Sequence, residues 1–120
     1  MSQTTGSKLV LRLGIAAILA MGIIHLIEAP GAFEEGTYEW WLFSLNGLAA
    51  IIIAIGMYLG KRAWGWNLGL AIAAATIAAY VISRTIGLPG LEPESDEWLE
   101  PLGVASLAVE SFFIVLFFRK

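Results

Sequence analysis

The stretch AWGWNLGLAIAAATIAAYVISRT, residues 63–85, decides the class of protein to which this chain belongs. It is apolar almost throughout, and when it is drawn as a helix it shows no polar face. A helix on the surface of a soluble domain carries a polar face opposite its apolar stripe. A helix of about 20 mostly apolar residues is long enough to cross the hydrocarbon core of a bilayer. The stretch therefore predicts a transmembrane helix and argues against a soluble four-helix bundle.

Three further apolar blocks occur along the chain, at residues 13–24, 40–59 and 101–118. The 120 residues are 58% hydrophobic and 14% charged, with a mean hydropathy of +0.79, whereas a soluble domain carries about 25% charged residues. We therefore predict one all-α domain, residues 1–120, that forms an integral membrane four-helix bundle. The expected helices cover about 8–28, 40–60, 63–86 and 101–118, and the expected acidic outer loops cover 29–39 and 87–100.

The charged residues are sorted between the connections. Six of the seven basic residues fall on one side of such a bundle, namely Lys8, Arg12, Lys61, Arg62, Arg119 and Lys120. Nine of the ten acidic residues fall in the two connections on the other side, and the tenth is Glu110. By the positive-inside rule, the basic side is cytoplasmic. We expect a multi-pass protein of a prokaryotic cell membrane with both termini cytoplasmic.

Several functions are excluded or disfavoured by what the chain lacks. It contains no cysteine, which excludes disulfides, thiolate metal sites and cysteine nucleophiles. It has no P-loop, GxSxG, HExxH or GxGxxG motif, so we predict no catalytic residue. Its net charge of −3 and its lack of a basic patch exclude nucleic-acid binding. One histidine among carboxylates is a weak set of metal ligands, because zinc prefers more nitrogen or sulfur, so no metal and no cofactor is predicted.

Polar residues within the apolar blocks are the candidates for a functional site, because ionisable groups at membrane depth are costly. Glu110 lies nine residues into the last block, about 13 Å below the outer surface at 1.5 Å per residue. We expect six side chains to form a buried polar cluster in the outer half of the bundle: His25, Glu28, Asn46, Arg84, Ser106 and Glu110. Within it, Arg84 and Glu110 lean toward each other and are expected to pair. His25 is expected inside the bundle, within about 8 Å of Arg84 or Glu110.

Each of these residues also has a structural interpretation. His25 fits a hydrogen-bonded residue near the membrane interface, and Asn46 fits a hydrogen bond between helices. Arg84 and Glu110 fit an ion pair that only holds the fold together. The sequence leaves these alternatives open, although four polar groups at matching depth favour a shared site.

The motifs HL…AP, RT-x-G-x-P and E-x-x-G…E resemble those of a family of small four-helix membrane proteins from bacteria and archaea. In this chain they comprise His25, Leu26, Ala29, Pro30, Arg84, Thr85, Gly87, Pro89, Glu100, Gly103 and Glu110. The resemblance implies four transmembrane helices and importance for His25, Arg84 and Glu110, and it implies no activity. Family members often have an Asp where this chain has Ser106, and a second His in the first outer loop that this chain lacks.

These features predict a non-enzymatic membrane protein that serves as a binding or accessory subunit, with a buried polar site. The alternative is a small proton- or ion-coupled transporter that uses Glu110 as its carrier carboxylate. A membrane enzyme with His25 as a base is a third hypothesis. Four short helices enclose little interior, so the expected partners are the lipid bilayer and either further copies of the chain or a larger membrane complex.

Overall fold

The computed structural model describes residues 5–120, and within that range the chain forms four helices and no strand. The helices are α1 (Thr5–Glu35), α2 (Glu39–Tyr58), α3 (Arg62–Thr85) and α4 (Pro101–Arg119). All four are long and apolar enough to cross a membrane. The predicted all-α four-helix bundle is therefore confirmed, and the orientation of its termini stays a prediction.

The helices pack in a ring, in which α1 and α3 each contact both α2 and α4. Successive helices are antiparallel: short connections join α1 to α2 and α2 to α3, and α4 packs with Phe113 against Gly69 and Gly103 against Tyr80 of α3. The resulting bundle measures 51 × 21 × 21 Å. The start of α1, the α2–α3 turn and the end of α4 therefore lie together, at what we call the basic end. The connections 36–38 and 86–100 lie at the opposite, acidic end.

The half of the bundle toward the basic end is a packed apolar core. Ile18, Met21 and Met57 are fully buried there. Trp66 stacks near Phe113 with ring centroids 5.0 Å apart. This half contains none of the six predicted site residues.

Helices α1 and α2 are in close backbone contact at a pair of glycines. A Cβ on Gly22 would lie 3.0 Å from the carbonyl oxygen of Gly47, and a Cβ on Gly47 would lie 2.9 Å from that of Gly22. Small residues permit such close backbone contact between helices that lack a polar interface. The crossing fixes His25, one turn further along α1, against the start of α2.

The predicted end of the first helix at residue 28 is wrong, because α1 continues through Pro30 to Glu35. Proline within a helix removes one backbone hydrogen bond, but the extension packs well. Ala29 and Ala32 are buried, and the Phe33 ring meets the Trp40 ring edge-on at 5.4 Å. The predicted acidic loop 29–39 is thus mostly helical, and the connection proper is 36–38. The first helix also begins three residues before its predicted start, and the ends of the other three helices lie within two residues of their predicted positions.

The connection 86–100, which we call the acidic segment, folds back over the end of the bundle. The Glu94 amide donates to the Ser83 carbonyl oxygen (2.8 Å), and the Tyr80 hydroxyl donates to the Trp98 carbonyl oxygen (2.6 Å). The Tyr38 hydroxyl, from the other connection, donates to the Pro89 carbonyl oxygen (2.6 Å). The segment ends at Glu100, whose carboxylate caps α4. These bonds hold acidic side chains against the end of α3.

Candidate functional site

A partly open cavity of about 310 Å³ lies in the acidic half of the bundle, mainly between α2 and α3. Along α3 it reaches from Arg84 to Ile72, about 18 Å of helix at 1.5 Å per residue. Its apolar wall includes Leu42, Phe43 and Ile72. Its polar wall comprises His25, Glu28, Glu39, Asn46, Thr76, Tyr80, Ser83, Arg84 and Ser106.

His25 lies inside the bundle, only 5% exposed, on the side of α1 that faces the cavity. Its Nδ1 is 2.8 Å from the Met21 carbonyl oxygen. Because a carbonyl only accepts, Nδ1 carries the hydrogen of that bond, and Nε2 is directed elsewhere. Nε2 lies 4.0 Å from Oε2 of Glu110. The prediction that His25 lies inside the bundle and close to Glu110 is confirmed.

Glu110 is the most deeply buried carboxyl group in the described part of the chain, with 1% of its surface exposed. The hydroxyl of Ser106, one turn earlier on α4, donates to Oε2. The other oxygen, Oε1, is buried and has no hydrogen-bond partner among residues 5–120. Glu110 itself lies behind the cavity wall, in contact with its His25 and Ser106 side chains.

The predicted pairing of Arg84 with Glu110 is wrong. Arg84 Nη1 is 3.4 Å from Oε2 of Glu94 and donates to Oγ of Ser83 at 2.8 Å. Its Nε donates to the Glu97 carbonyl oxygen at 3.4 Å, and its guanidinium carbon lies 4.0 Å from the centre of the Tyr80 ring. The physical reason is that the acidic segment brings Glu94 onto the end of α3, nearer to Arg84 than the buried Glu110.

Acidic side chains crowd around Arg84 at the mouth of the cavity. Burial raises the pKa of Glu94, and repulsion by Glu39 and Glu97 raises this pKa further. The attraction of Arg84 acts in the opposite direction but is the weaker influence. The 3.4 Å ion pair alone would suggest a lowered pKa for Glu94. The raised pKa has the stronger physical basis, because two carboxylates and partial burial oppose one guanidinium.

Asn46 crosses from α2 to α3 at the floor of the cavity. Its Nδ2 donates to Oγ1 of Thr76 at 2.7 Å, and the Thr76 hydroxyl donates to the Ile72 carbonyl oxygen at 2.7 Å. Oδ1 of Asn46 is buried without a hydrogen-bond partner in the described residues. The structural interpretation of Asn46, a bond between helices, is therefore satisfied by its nitrogen and leaves its oxygen unused.

The structure places the six predicted site residues in one region. His25, Glu28, Asn46, Arg84 and Ser106 line the cavity, and Glu110 lies directly behind them. Sequence reasoning missed Glu39, Thr76 and Tyr80, which line the same cavity. Thr76, Tyr80 and Arg84 recur at intervals of four along α3, and this spacing was the available signal that they share a helix face. Glu39 was missed because it was assigned to a loop.

Among residues 5–120, no group of three or more His, Cys, Asp or Glu side chains is arranged to hold a metal ion. Comparison of the chain with protein-family models, with curated proteins and with solved structures gave no match. The geometry of the cavity is therefore the basis for any functional proposal.

Proposed function

We propose that the protein is a non-enzymatic membrane protein that binds a small amphipathic molecule in the cavity of its acidic half. The observation that carries the proposal is the cavity itself, about 310 Å³ in volume and lined by both polar and apolar side chains. Ligand pockets combine a mostly apolar lining with a few placed polar groups and have volumes of about 300–1,000 Å³. The unpartnered Asn46 oxygen supports this interpretation, since buried polar atoms are rarely left without a partner.

We also propose where the protein is located. The four helices suit a multi-pass membrane protein, and the charge distribution favours the cell membrane of a prokaryote with both termini in the cytoplasm. In that orientation the cavity lies in the outer half of the membrane. Many large apolar side chains are exposed on the bundle, among them Ile52, Ile55 and Phe118. They suit contact with lipid, with further copies of the chain or with a larger complex in which this protein is an accessory subunit.

The proposal is tested by isolating the protein from its native membrane in mild detergent and identifying retained small molecules by mass spectrometry. Ala79→Phe places a ring in the cavity, whereas Ala71→Phe places the same ring on an exposed position of α3 outside it. We expect a molecule that is retained by the wild type and by Ala71→Phe and is lost from Ala79→Phe. Equal retention by both variants, or the absence of any enriched molecule, would contradict the proposal.

A second candidate function is proton-coupled transport with Glu110 as the carrier carboxylate. The observation that favours it is the buried carboxyl group of Glu110, whose Oε2 lies next to His25 and Ser106 on the cavity wall and whose Oε1 has no hydrogen-bond partner in the described residues. A carboxyl group in this position has a route for proton exchange toward the acidic end. Proteoliposomes that contain a pH-sensitive dye test this candidate. Transport predicts substrate-dependent proton movement that is lost in Glu110→Gln, whereas a binding protein shows none in either form.

A further inference from the structure

We infer that the ligand of this cavity is a small organic ammonium ion with an apolar body, and that its N–H groups bind to acceptors on the cavity wall. This inference rests on the proposed binding function and adds the chemical class of the ligand. Some hydrogen-bonding groups around the cavity are already bonded within the protein, and others have no partner there. The groups without a partner indicate what the ligand must offer.

One oxygen near the cavity, Oδ1 of Asn46, has no hydrogen-bond partner in the described residues. The Thr76 hydroxyl hydrogen is directed at the Ile72 carbonyl oxygen. The Thr76 oxygen therefore accepts from Asn46, and this assigns the nitrogen of the amide to that side. Oδ1 is then the free atom. It only accepts hydrogen bonds, so a ligand group that reaches it must carry a hydrogen on nitrogen or oxygen.

The charged side chains on the cavity wall favour a cationic ligand. Glu28 and Glu39 both line the cavity, and neither side chain has a hydrogen bond or an ion pair within residues 5–120. Arg84, the one cation on the wall, is already bonded to Glu94, Ser83 and the Glu97 carbonyl oxygen. The wall thus offers two carboxyl groups that have no hydrogen bond or ion pair, and one guanidinium that is already bonded within the protein. A bound cation also favours the ionised form of a neighbouring carboxyl group.

The apolar wall of the cavity favours a ligand with an apolar body. Leu42, Phe43 and Ile72 line the cavity together with Ala75 and Ala79. An inorganic cation would leave this surface unused and would need more oxygen ligands than the cavity brings together. An amine with a short hydrocarbon or aromatic body uses both walls at once. Aromatic faces such as that of Phe43 also attract cationic groups.

The experiment uses the full chain in phosphatidylcholine nanodiscs and equilibrium dialysis with three probes, each of which has one phenyl ring and one charged group. Benzylammonium has a charge and N–H donors, benzyltrimethylammonium has the charge alone, and benzoate has the opposite charge. We expect benzylammonium to bind at least five-fold more tightly than benzyltrimethylammonium, and benzoate to show no binding above that to empty nanodiscs.

Variants distinguish the cavity from the lipid. Glu39→Gln should weaken benzylammonium binding at least five-fold, whereas Glu35→Gln, an exposed position of α1 that is not on the cavity wall, should leave it unchanged. Equal binding by both variants would show that the probe only partitions into lipid and would overturn the inference.

Failure of the ligand class and failure of the proposed function give different results. Binding of benzoate in place of benzylammonium, or a retained native molecule without an amine, would overturn the inference and leave the binding function standing. Failure of all three probes to bind would overturn the inference. The binding function itself is tested separately, and it fails if no native molecule distinguishes Ala79→Phe from Ala71→Phe.

Discussion

At the scale of single residues, His25 and Glu110 form a buried polar contact inside this bundle. They connect α1 to α4 at a separation of 4.0 Å, and both are almost fully buried. Burying two ionisable groups is costly unless they interact with each other or with other polar groups. Ser106 and the Met21 carbonyl oxygen supply those further interactions. The stability contributed by either residue should therefore depend on the other.

A double-mutant cycle measures this dependence. For His25→Gln and Glu110→Gln we expect a coupling energy of roughly 0.5–3 kcal/mol, because residues in direct contact are not additive. The free energy of unfolding is measured by SDS titration in mixed micelles. Arg84→Gln combined with Glu110→Gln is the control, and it should be additive within about 0.5 kcal/mol, because these two residues share no partner. Additivity in both cycles would show that His25 and Glu110 do not interact.

The carboxyl group of Glu94 predicts a pH dependence of stability. Because the pKa of Glu94 is raised by burial and by its acidic neighbours, the folded state holds this proton more tightly than the unfolded state. Its contribution to stability is therefore present below the ordinary glutamate pKa and is lost as the pH rises through the raised value. Glu94→Gln, which stays neutral, should give a flatter profile above pH 4.5 and a higher melting temperature at pH 7.

Thermal melts in detergent between pH 4.5 and pH 8 provide this measurement. Glu92→Gln, an exposed position in the same acidic segment, is the matched control and should keep the wild-type profile. If Glu94→Gln instead lowers the melting temperature at pH 7, its ion pair with Arg84 outweighs the repulsion from Glu39 and Glu97.

These residues also show what the sequence could predict about the site. The burial of His25 and Glu110 followed from their depth in apolar helices and from the small residues on the same faces. The partner of Arg84 did not follow, because it depends on how the backbone of the acidic segment folds back at Ser83. Axial depth along a helix can be counted from the sequence, but the path of an irregular connection cannot.

At the scale of the helices, the crossing of α1 and α2 depends on Gly22 and Gly47. We expect Gly47→Ala to destabilise the bundle by roughly 1–3 kcal/mol, since overpacking a tight contact forces the backbones apart. A Cβ there would lie 2.5 Å from Cγ of Leu26 and 2.9 Å from the Gly22 carbonyl oxygen. The backbone atom cannot rotate away as a side chain can.

Gly31→Ala provides the control for helix propensity. Gly31 also lies within a helix, but a Cβ there has nothing within 4 Å. Alanine is a better helix former than glycine by about 1 kcal/mol, so this variant should be neutral or slightly more stable than the wild type. SDS titration of both variants makes the comparison, and a similar loss in both would mean that the helix crossing is not the cause.

Packing against the neighbouring helices explains why α1 is longer than predicted. Pro30 and Gly31 are typical of a turn, and the sequence alone favours ending the helix before them. In the structure, the burial of Ala29 and Ala32 outweighs that local preference. Tertiary packing of this kind regularly overrides local propensity, and it could not be seen before the neighbouring helices were in place.

At the scale of the whole molecule, the number and class of the helices were predictable because they depend only on composition and length. Each apolar block predicted a transmembrane helix, and each one lies in a helix of the bundle that is long and apolar enough to cross a membrane. The cavity was not predictable, because it arises where four helices and the acidic segment fail to fill the space between them. No single stretch of the sequence encodes that space.

The predicted orientation of the molecule in the membrane can be tested by labelling introduced cysteines. The chain has no cysteine of its own, so single cysteines can be introduced at Lys61 and at Glu92 and labelled in intact cells with a membrane-impermeant maleimide. We expect labelling at position 92 from outside and labelling at position 61 only after the cells are opened, because basic connections stay in the cytoplasm. Labelling of position 61 in intact cells would reverse the proposed topology.

The division of the bundle into an open acidic half and a packed basic half also has an electrical consequence. In the proposed orientation the open acidic half faces the outside, so the membrane voltage would fall mainly across the packed half that contains Met57, Trp66 and Phe113. A cation that enters from the acidic end crosses only part of that voltage. Its binding should therefore change by well under the ~2.3 kcal/mol per 100 mV that a unit charge gains on crossing the whole membrane. In that orientation, occupancy of the cavity by a cationic ligand would be set by the external concentration of the ligand, and only weakly by the energetic state of the cell.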